Sequence, residues 1–249
     1  MIQSGIGLET TDVSGMKNEL VNIASHEMKT SIQSILTYSE LLHSMSDRQN
    51  GEYVEAIHRN ALRLQKLSMN LLDVTKIENQ TLVLKNEKFA INELILHIIQ
   101  DIIAQKQKCG IKIEKKRFSF DIKEAVFVWA DKDRIAQVIS NLIDNAFKFT
   151  QKGNVTVKLE QLENSVVVAV RDCGPGINPH MFPRLFSKFF TSSHNGVGLG
   201  LYISMSIVKA HDGRIWARNN ADVGATFSFE IPSRIGAESS FHASYAVNF

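Results

Sequence analysis

Cysteine and proline are scarce in this chain of 249 residues. The two cysteines, Cys109 and Cys173, cannot form a disulfide framework, so a reducing compartment such as the cytosol is expected. The four prolines all lie at or after Pro175. The first two thirds of the chain therefore contain no proline that would break a long helix.

Long apolar runs and a charge excess are also missing. No run approaches the roughly 18 apolar residues that a membrane-spanning helix needs, and the opening MIQSGIGLETTD lacks the features of a secretory signal. The formal net charge of +2 gives no bulk attraction to nucleic acid. The 44% of hydrophobic residues is typical of a folded protein. We expect a cytoplasmic location, and a longer, membrane-anchored parent stays an open alternative.

The N-terminal third predicts two long helices joined by a turn. Residues 16–45 contain neither glycine nor proline, Asn50-Gly51 is a strong turn signal, and a second helix is predicted from about Glu52 to Asn79. Two such helices form an antiparallel hairpin, and we expect a second copy to cover its apolar side in a dimeric four-helix bundle. The small or apolar stripes are Leu20, Ala24, Ser31, Ile35, Tyr38, Leu42 and Met45 in the first helix, and Val54, Ile57, Ala61, Leu64, Leu67, Leu71 and Val74 in the second.

His26 does not fit the stripe of the first helix. At about 100° per residue it lies roughly 140° from the middle of that stripe, so its imidazole is expected to face solvent. Glu27 follows it, and Thr30 lies one turn further on. A solvated surface histidine is one interpretation. A phosphate acceptor is the other, because neutral imidazole is a nucleophile and a neighbouring carboxylate can hold its tautomer and take its proton.

The C-terminal two thirds predict a sheet that is covered by helices on one face. Asp131 is a plausible cap for the second of the predicted helices. Strands are predicted at Leu82–Leu84, Ile111–Glu114, Val126–Trp129, Val155–Leu159, Val166–Arg171, Arg214–Arg218 and Thr226–Ile231, and helices at Ile91–Lys108, Asp131–Phe149 and Leu199–Ala210.

The helix after Asp131 carries two amides and a cation on one face. Asn141 and Asn145 are four residues apart, and Lys148 is three further on. An amide oxygen can ligate a hard cation such as Mg²⁺, and an ammonium can meet a phosphoryl oxygen. This face suits a phosphate chain with its metal ion, although an ordinary amphipathic helix with polar edges explains it equally well.

Two glycine-rich segments follow. Asp172 ends an apolar strand and is followed by Gly174 and Gly176, which allow close approach of the backbone to a flat ligand, while the buried carboxylate can accept from an exocyclic amine. The segment 196–200, before an apolar helix, exposes backbone N–H groups to an anion. A simple turn and core packing of the preceding phenylalanines are the alternatives.

In this order, the segments resemble the cytoplasmic core of a sensor histidine kinase of a two-component system, over roughly Val13 to Pro232. The resemblance implies an α+β protein in which the helical hairpin is followed by an α/β sandwich ATP-binding domain. The segments that resemble the H, N, G1, F and G2 boxes of the family are, in this order, Ser25–Thr30, Asn141–Lys148, Asp172–Gly176, Phe186–Phe189 and Gly196–Gly200. Two further segments resemble the closing strands of the family: His211–Ile215 and Gly224–Pro232.

The resemblance also implies a role for each matching residue. His26 takes the phosphoryl group from ATP. Glu27 orients the imidazole ring of His26 and serves as base, and Thr30 positions water for dephosphorylating a response regulator. Asn145 holds Mg²⁺ through ATP, and Asp172 contacts the adenine amine. The other implied nucleotide-binding residues are Asn141, Lys148, Gly174, Gly176, Phe189, Gly196, Gly198, Gly200, Leu201 and Thr226.

The implied partners are a second copy of the chain and the receiver domain of a response regulator, to an aspartate of which the phosphoryl group passes. The expected divisions are a linker at 1–14, the hairpin at 15–80, the ATP-binding domain at 81–235 and a tail at 236–249. Ser31 stands where the family usually has proline, so a straighter first helix is expected. An ATP-binding scaffold and an ATPase with the same pocket remain as rival functions.

Overall fold

The structure, a computed structural model, describes residues 28–42, 50–108, 118–121, 125–191 and 197–233. The chain divides into two units: the first unit ends at Thr75 and also includes Phe189–Leu199, and the second unit consists of Lys76–Lys188 and the residues from Gly200 onwards. His26, Glu27 and Gly196 lie outside the described residues, as do the predicted strand at 111–114, the predicted linker at 1–14 and the predicted tail at 236–249.

Two helices make up most of the described part of the first unit, although the last three residues of the second helix, from Lys76, belong to the second unit. Helix α1 covers residues 28–42 without interruption and α2 covers Asn50–Glu78, which confirms the second predicted helix. The rings of Tyr38 and Tyr53 stack with their centroids 5.9 Å apart. This contact brings the end of α1 to the start of α2, as the predicted hairpin requires.

The helices bury only part of their apolar surface within one chain. Ser31, Leu67 and Val74 are buried, in agreement with the predicted stripes. Val54 and Ala61 were placed on the same stripe but are exposed, Val54 to 55%. Four further apolar side chains of the two helices are exposed: Ile32, Leu36, Met69 and Leu72.

The second unit contains a five-stranded sheet. Four of its strands pair antiparallel, and the edge strand β2 is parallel to its neighbour β4. In the order of pairing, the strands are β2 (Phe118–Asp121), β4 (Val155–Gln161), β5 (Ser165–Arg171), β7 (Ala225–Pro232) and β6 (Arg214–Asn219). A separate antiparallel pair is formed by β1 (Asn86–Ala90) and β3 (Phe127–Asp131).

The second unit contains three helices, α3 (Ile91–Lys108), α4 (Lys132–Phe149) and α5 (Gly200–Ala210). Helices α4 and α5 contact the sheet, and α3 packs against α4. In β5 every second residue is buried, the alternation of a sheet with one covered face. Helix α4 lies at the centre and contacts α3, α5 and the sheet. Its apolar stripe is buried: Ile135, Val138, Ile139, Leu142, Ile143 and Ala146. The sheet covered by helices is therefore confirmed.

The strand predicted at Leu82–Leu84 is wrong. Residues 81–85 form no strand, Val83 is 78% exposed, and the strand begins at Asn86, where pairing with β3 becomes available. Apolar side chains alone do not make a strand, because backbone N–H and C=O groups need a ladder partner. The short strand β2 and a 3-10 helix at Pro179–Arg184 were not predicted.

Both tryptophans lie on strands of the second unit. Trp129 on β3 is about half exposed, and the ring centroid of Trp216 on β6 lies 5.2 Å from the guanidinium carbon of Arg214. None of the helices in the described ranges is at once long and apolar enough to pass through a bilayer.

Candidate functional site

The carboxylate of Asp172 is the most distinctive polar group of the second unit. It follows β5 and is 4% exposed. Its Oδ1 accepts hydrogen bonds from the backbone N–H of Gly174 (2.8 Å) and of Ala225 (3.1 Å). Its Oδ2 has no hydrogen-bond partner among the described residues. A buried acceptor without a partner is costly, so this oxygen suits a donor group on a ligand.

Glycines let the backbone close tightly around this carboxylate. A Cβ at Gly224, where φ is +81°, would lie 2.1 Å from the backbone oxygen of Asp172. A Cβ at Gly174 would lie 2.8 Å from the backbone oxygen of Phe149, at the end of α4. No side chain fits at either place. The residues of the predicted G1 box are thus pressed against both the end of α4 and the turn before β7.

The far end of the same loop is fixed by Asn219. Its Oδ1 accepts from the backbone N–H of Ile177 (2.7 Å), and its Nδ2 donates to the backbone oxygen of Ile177 (2.8 Å). Gly176 has φ +78°, and a Cβ there would lie 3.1 Å from the Asn219 Oδ1. Asn219 was not singled out from the sequence, because its partner is 42 residues away.

Thr226 reaches Asp172 only through Asn220. The Thr226 hydroxyl donates to Oδ1 of Asn220 (2.6 Å), and Nδ2 of Asn220 donates to the backbone oxygen of Asp172 (3.2 Å). Thr226 itself is buried. The hydroxyl of Thr226, which was predicted to bind nucleotide, is therefore used within the protein, and Asn220 is a further residue that sequence reasoning missed.

The polar face of α4 divides into residues with different surroundings. Asn141 is buried, and its Nδ2 lies 3.4 Å from both the backbone oxygen of Gly200 and the Ser204 hydroxyl. Asn145 is half-buried, and within the described ranges its amide makes no hydrogen bond. Lys148 is exposed, with its Nζ 5.8 Å from the ring centroid of Phe149. Asn141 thus joins α4 to the start of α5, while the Asn145 amide is available to a ligand.

The remaining predicted residues lie in other parts of the chain. Phe189 and Gly198 belong to the first unit, where a Cβ at Gly198 (φ +71°) would lie 2.5 Å from the Phe189 carbonyl carbon. Gly200 and Leu201 begin α5 in the second unit. Thr30 is exposed on α1.

The start of α4 is held by a buried histidine. Asp131 caps the helix by accepting from the Arg134 N–H (3.0 Å) at Oδ1, and its Oδ2 accepts from the Lys85 N–H (2.8 Å). The Asp131 N–H donates to Nε2 of His211 (3.0 Å), whose Nδ1 lies 2.8 Å from the backbone oxygen of Ile207. Because Nε2 accepts, the proton is on Nδ1 and the ring is neutral. His211 thus joins the end of α5 to the start of α4.

Lys188, in the segment that resembles the F box, forms an ion pair with Glu78 at the end of α2. Its Nζ also lies 5.2 Å from the ring centroid of Tyr202 on α5. Burial lowers the pKa of Lys188, but the hydrogen bond to Glu78 and the proximity of Tyr202 outweigh it, so the pKa is raised above 10.5. All three residues belong to the second unit.

No cluster of three or more histidine, cysteine or acidic side chains that could hold a metal ion occurs in the described part of the chain. A resident, protein-caged metal is therefore not built by these residues. The single amide of Asn145 instead fits an Mg²⁺ ion that is carried mainly by substrate phosphates and water, as is usual for this cation.

Two protein families match separate parts of the chain. Residues 16–80 match the His Kinase A (phospho-acceptor) domain. Residues 130–235 match the family described as Histidine kinase-, DNA gyrase B-, and HSP90-like ATPase. The second match contains all of α4, the Asp172 loop, α5 and the last two strands.

Individual proteins agree with these matches. The chain is 31% identical to the sensor protein KdpD of Clostridium acetobutylicum over 88% of its own length, and spans 25% of that protein. It is similar to the catalytic domain of the histidine kinase ThkA, at 34% identity and a TM-score of 0.52, over 60% of this chain and 96% of that one. It also matches ThkA in complex with the response regulator protein TrrA, at 27% identity and a TM-score of 0.63, over 90% of this chain and 64% of that one.

The catalytic domain of ThkA is matched over nearly its whole length, and the order of the two family matches is that of the helical region and the sheet domain in the fold. The chain therefore belongs to the sensor histidine kinases and carries a phospho-acceptor domain followed by an ATPase-like domain of that family.

Proposed function

We propose that this chain transfers the γ-phosphoryl group of ATP to His26 and from there to an aspartate of a response regulator. The observation that carries the proposal is the Oδ2 atom of Asp172, a buried acceptor that lacks a partner among the described residues. The exocyclic amine of adenine supplies the matching donor, and glycines beside the carboxylate allow the backbone to approach a flat base closely.

The phosphate tail is then assigned to the polar face of α4. Asn145 offers an amide oxygen that is not used by the described protein, and Lys148 offers a positive charge one turn later. When Mg²⁺ is bound with the nucleotide, it neutralises phosphate charge, and Asn145 is the residue that would ligate it. The other polar residue of this face, Asn141, has the separate task of joining α4 to α5.

His26 serves as the nucleophile. One imidazole nitrogen forms a bond to the γ-phosphorus as the bond to the β–γ bridging oxygen breaks, and ADP leaves. Glu27 orients the ring and takes the proton from the other nitrogen. A carboxylate oxygen of the receiver aspartate then attacks the phosphorus and breaks the P–N bond, while Glu27 returns the proton to the ring, so that His26 regains its neutral starting state.

The partners follow from the same chemistry. The structure of ThkA with TrrA supports a response regulator as the acceptor for this chain too. The exposed apolar side chains of α1 and α2 support a homodimer, in which two hairpins would cover them in a four-helix bundle.

Incubation with γ-labelled ATP tests the reaction. We expect a base-stable, acid-labile label on the wild-type chain, none on His26→Gln, and an unchanged label on His58→Gln, which replaces an exposed histidine of α2. Free phosphate without labelled protein would instead identify an ATPase. Nucleotide binding with neither product would identify an ATP-binding scaffold.

A second activity, dephosphorylation of the response regulator, is favoured by Thr30. This residue lies one turn after His26, and its position on α1 is exposed, so that its hydroxyl can position water against a docked receiver. We expect Thr30→Ala to keep autophosphorylation and to lose most of the phosphatase activity, whereas Ser34→Ala, one turn further on, should keep both. Equal phosphatase rates for wild type and Thr30→Ala would contradict this role.

A further inference from the structure

The side chain of Asn220 connects three segments that meet at Asp172. Its Nδ2 donates to the backbone oxygen of Asp172 (3.2 Å) and to that of Val223 (2.8 Å). Its Oδ1 accepts from the Thr226 hydroxyl (2.6 Å). One amide therefore bonds to the residue that follows β5, to the turn between β6 and β7, and to the start of β7.

The first residue after this turn supplies one of the two donors that hold the Asp172 carboxylate. The backbone N–H of Asn220 donates to the backbone oxygen of Gly224 (2.9 Å) and closes the turn. The next residue, Ala225, donates its N–H to Oδ1 of Asp172. If the turn shifted, Oδ1 would keep only the Gly174 N–H, and the carboxylate could rotate. The direction of Oδ2 therefore depends on the turn that Asn220 holds.

We propose that Asn220 is a positioning residue for base recognition, which selects nucleotides with an exocyclic amine by fixing the direction of the Asp172 Oδ2. The proposal rests on the proposed function, in which that oxygen accepts from adenine. Asn220 does not touch the base in this scheme; it acts through Asp172 and the turn.

The neighbouring Asn219 supports this assignment. Its bonds to both backbone groups of Ile177 fix the other end of the loop that begins at Asp172. Two consecutive asparagines thus hold residues 172–177 at both ends. A loop that is tied at both ends loses little conformational entropy when a ligand binds, which favours a preorganised pocket.

The test compares two bases on the full chain. ADP and inosine diphosphate, which carries a carbonyl in place of the exocyclic amine, are titrated with Mg²⁺ by calorimetry into wild type, Asn220→Ala and Asn164→Ala. The last variant replaces an exposed asparagine in the β4–β5 turn. We expect wild type and Asn164→Ala to prefer ADP, and Asn220→Ala to lose about tenfold in ADP affinity with little change for inosine diphosphate.

The outcomes separate the two proposals. Equal losses for both nucleotides in Asn220→Ala, or a wild-type preference that survives in it, would overturn the positioning role and leave the proposed function standing. Equal affinity of the wild-type chain for both nucleotides would contradict base recognition by Asp172 itself, and the positioning role with it. If Asn220→Ala fails to fold, Thr226→Val serves instead, because it removes only the hydroxyl that donates to Oδ1 of Asn220. An unchanged preference of that variant for ADP over inosine diphosphate would overturn the proposal.

Discussion

The two units differ in how completely one chain covers its own apolar side chains. In the second unit, α4 buries its whole apolar stripe against neighbouring helices and the sheet. In the first unit, Leu36 and Leu72 remain more than half exposed on helices that otherwise have the pattern of a packed pair. The central helix of the nucleotide-binding unit is thus covered within one chain, although other elements of that unit also expose apolar side chains such as Val83 and Trp129. The helical pair, in contrast, leaves part of its own packing stripes exposed, which favours another surface against it. Substitutions should therefore affect one unit without the other.

The largest effect is expected from Asp172→Asn. An amide would present a donor in place of Oδ2, towards an amine that is itself a donor, and would weaken the two bonds at Oδ1. We expect ADP affinity to fall by roughly 100-fold, or about 2.7 kcal/mol, with no change in oligomeric state. Calorimetry and sedimentation measure the two quantities, and Asp101→Asn on the exposed side of α3 is the control. Wild-type affinity in Asp172→Asn would contradict the assignment of the site.

A smaller effect is expected from His211→Ala. The Asp131 N–H would lose its acceptor inside the protein, and the end of α5 would lose its link to α4. We expect the free energy of unfolding of the second unit to fall by about 2 kcal/mol, while the helical pair keeps its stability. Denaturant titration followed by circular dichroism tests this against His180→Ala, which replaces an exposed histidine of the same unit. Equal free energies of unfolding for the two variants would show that the hydrogen bonds of His211 do not stabilise the second unit.

Leu72→Glu tests whether another surface covers the exposed apolar side chains of the helical pair. If a second hairpin covers this side chain, a charge there removes apolar burial and should raise the dissociation constant of the dimer about tenfold, or about 1.4 kcal/mol. Sedimentation equilibrium measures it, and Val83→Glu, an exposed apolar position outside the helices, is the matched control. Identical dissociation constants for both variants would mean that this surface of α2 is not the interface.

The smallest effect is expected from Glu78→Gln. The pKa of Lys188 is raised in the folded protein, so the ion pair stabilises fully below pH 10.5, the ordinary value, and its contribution disappears as pH rises through the raised pKa. Because Glu78 is 43% exposed, we expect a loss of less than about 1 kcal/mol at neutral pH. Unfolding titrations at neutral and strongly alkaline pH measure it, with Glu163→Gln as control. A difference between wild type and Glu78→Gln that persists unchanged at alkaline pH would exclude the ion pair as its cause.

Local patterns predicted most of the elements. The helix from Ile91 to Lys108 has the predicted bounds, and Asp131 caps the next helix, because helix periodicity and capping depend on residues close in sequence. The prediction of a strand at Leu82–Leu84 was wrong because a strand needs a partner strand, and the residues that pair with β3 begin only at Asn86.

The residues of the candidate site also differ in whether nearby sequence could predict them. Asp172 was predicted from the glycines that follow it in sequence. Asn220 and His211 were missed as contributors to the site, because they act on residues 48 and 80 positions away. An asparagine in a turn and a histidine after a helix carry no local sign of such partners. Thr226 was assigned from resemblance, and its bond to Asn220 became visible only in three dimensions.

The placement of the two tryptophans has a practical consequence. Trp129 and Trp216 both lie on strands of the second unit, and the chain contains no other indole. Emission excited in the indole band therefore records the nucleotide-binding unit alone, without any engineered probe. The two helices of the other unit contain no tryptophan, so their unfolding can be followed by circular dichroism while the indole signal reports on the sheet unit.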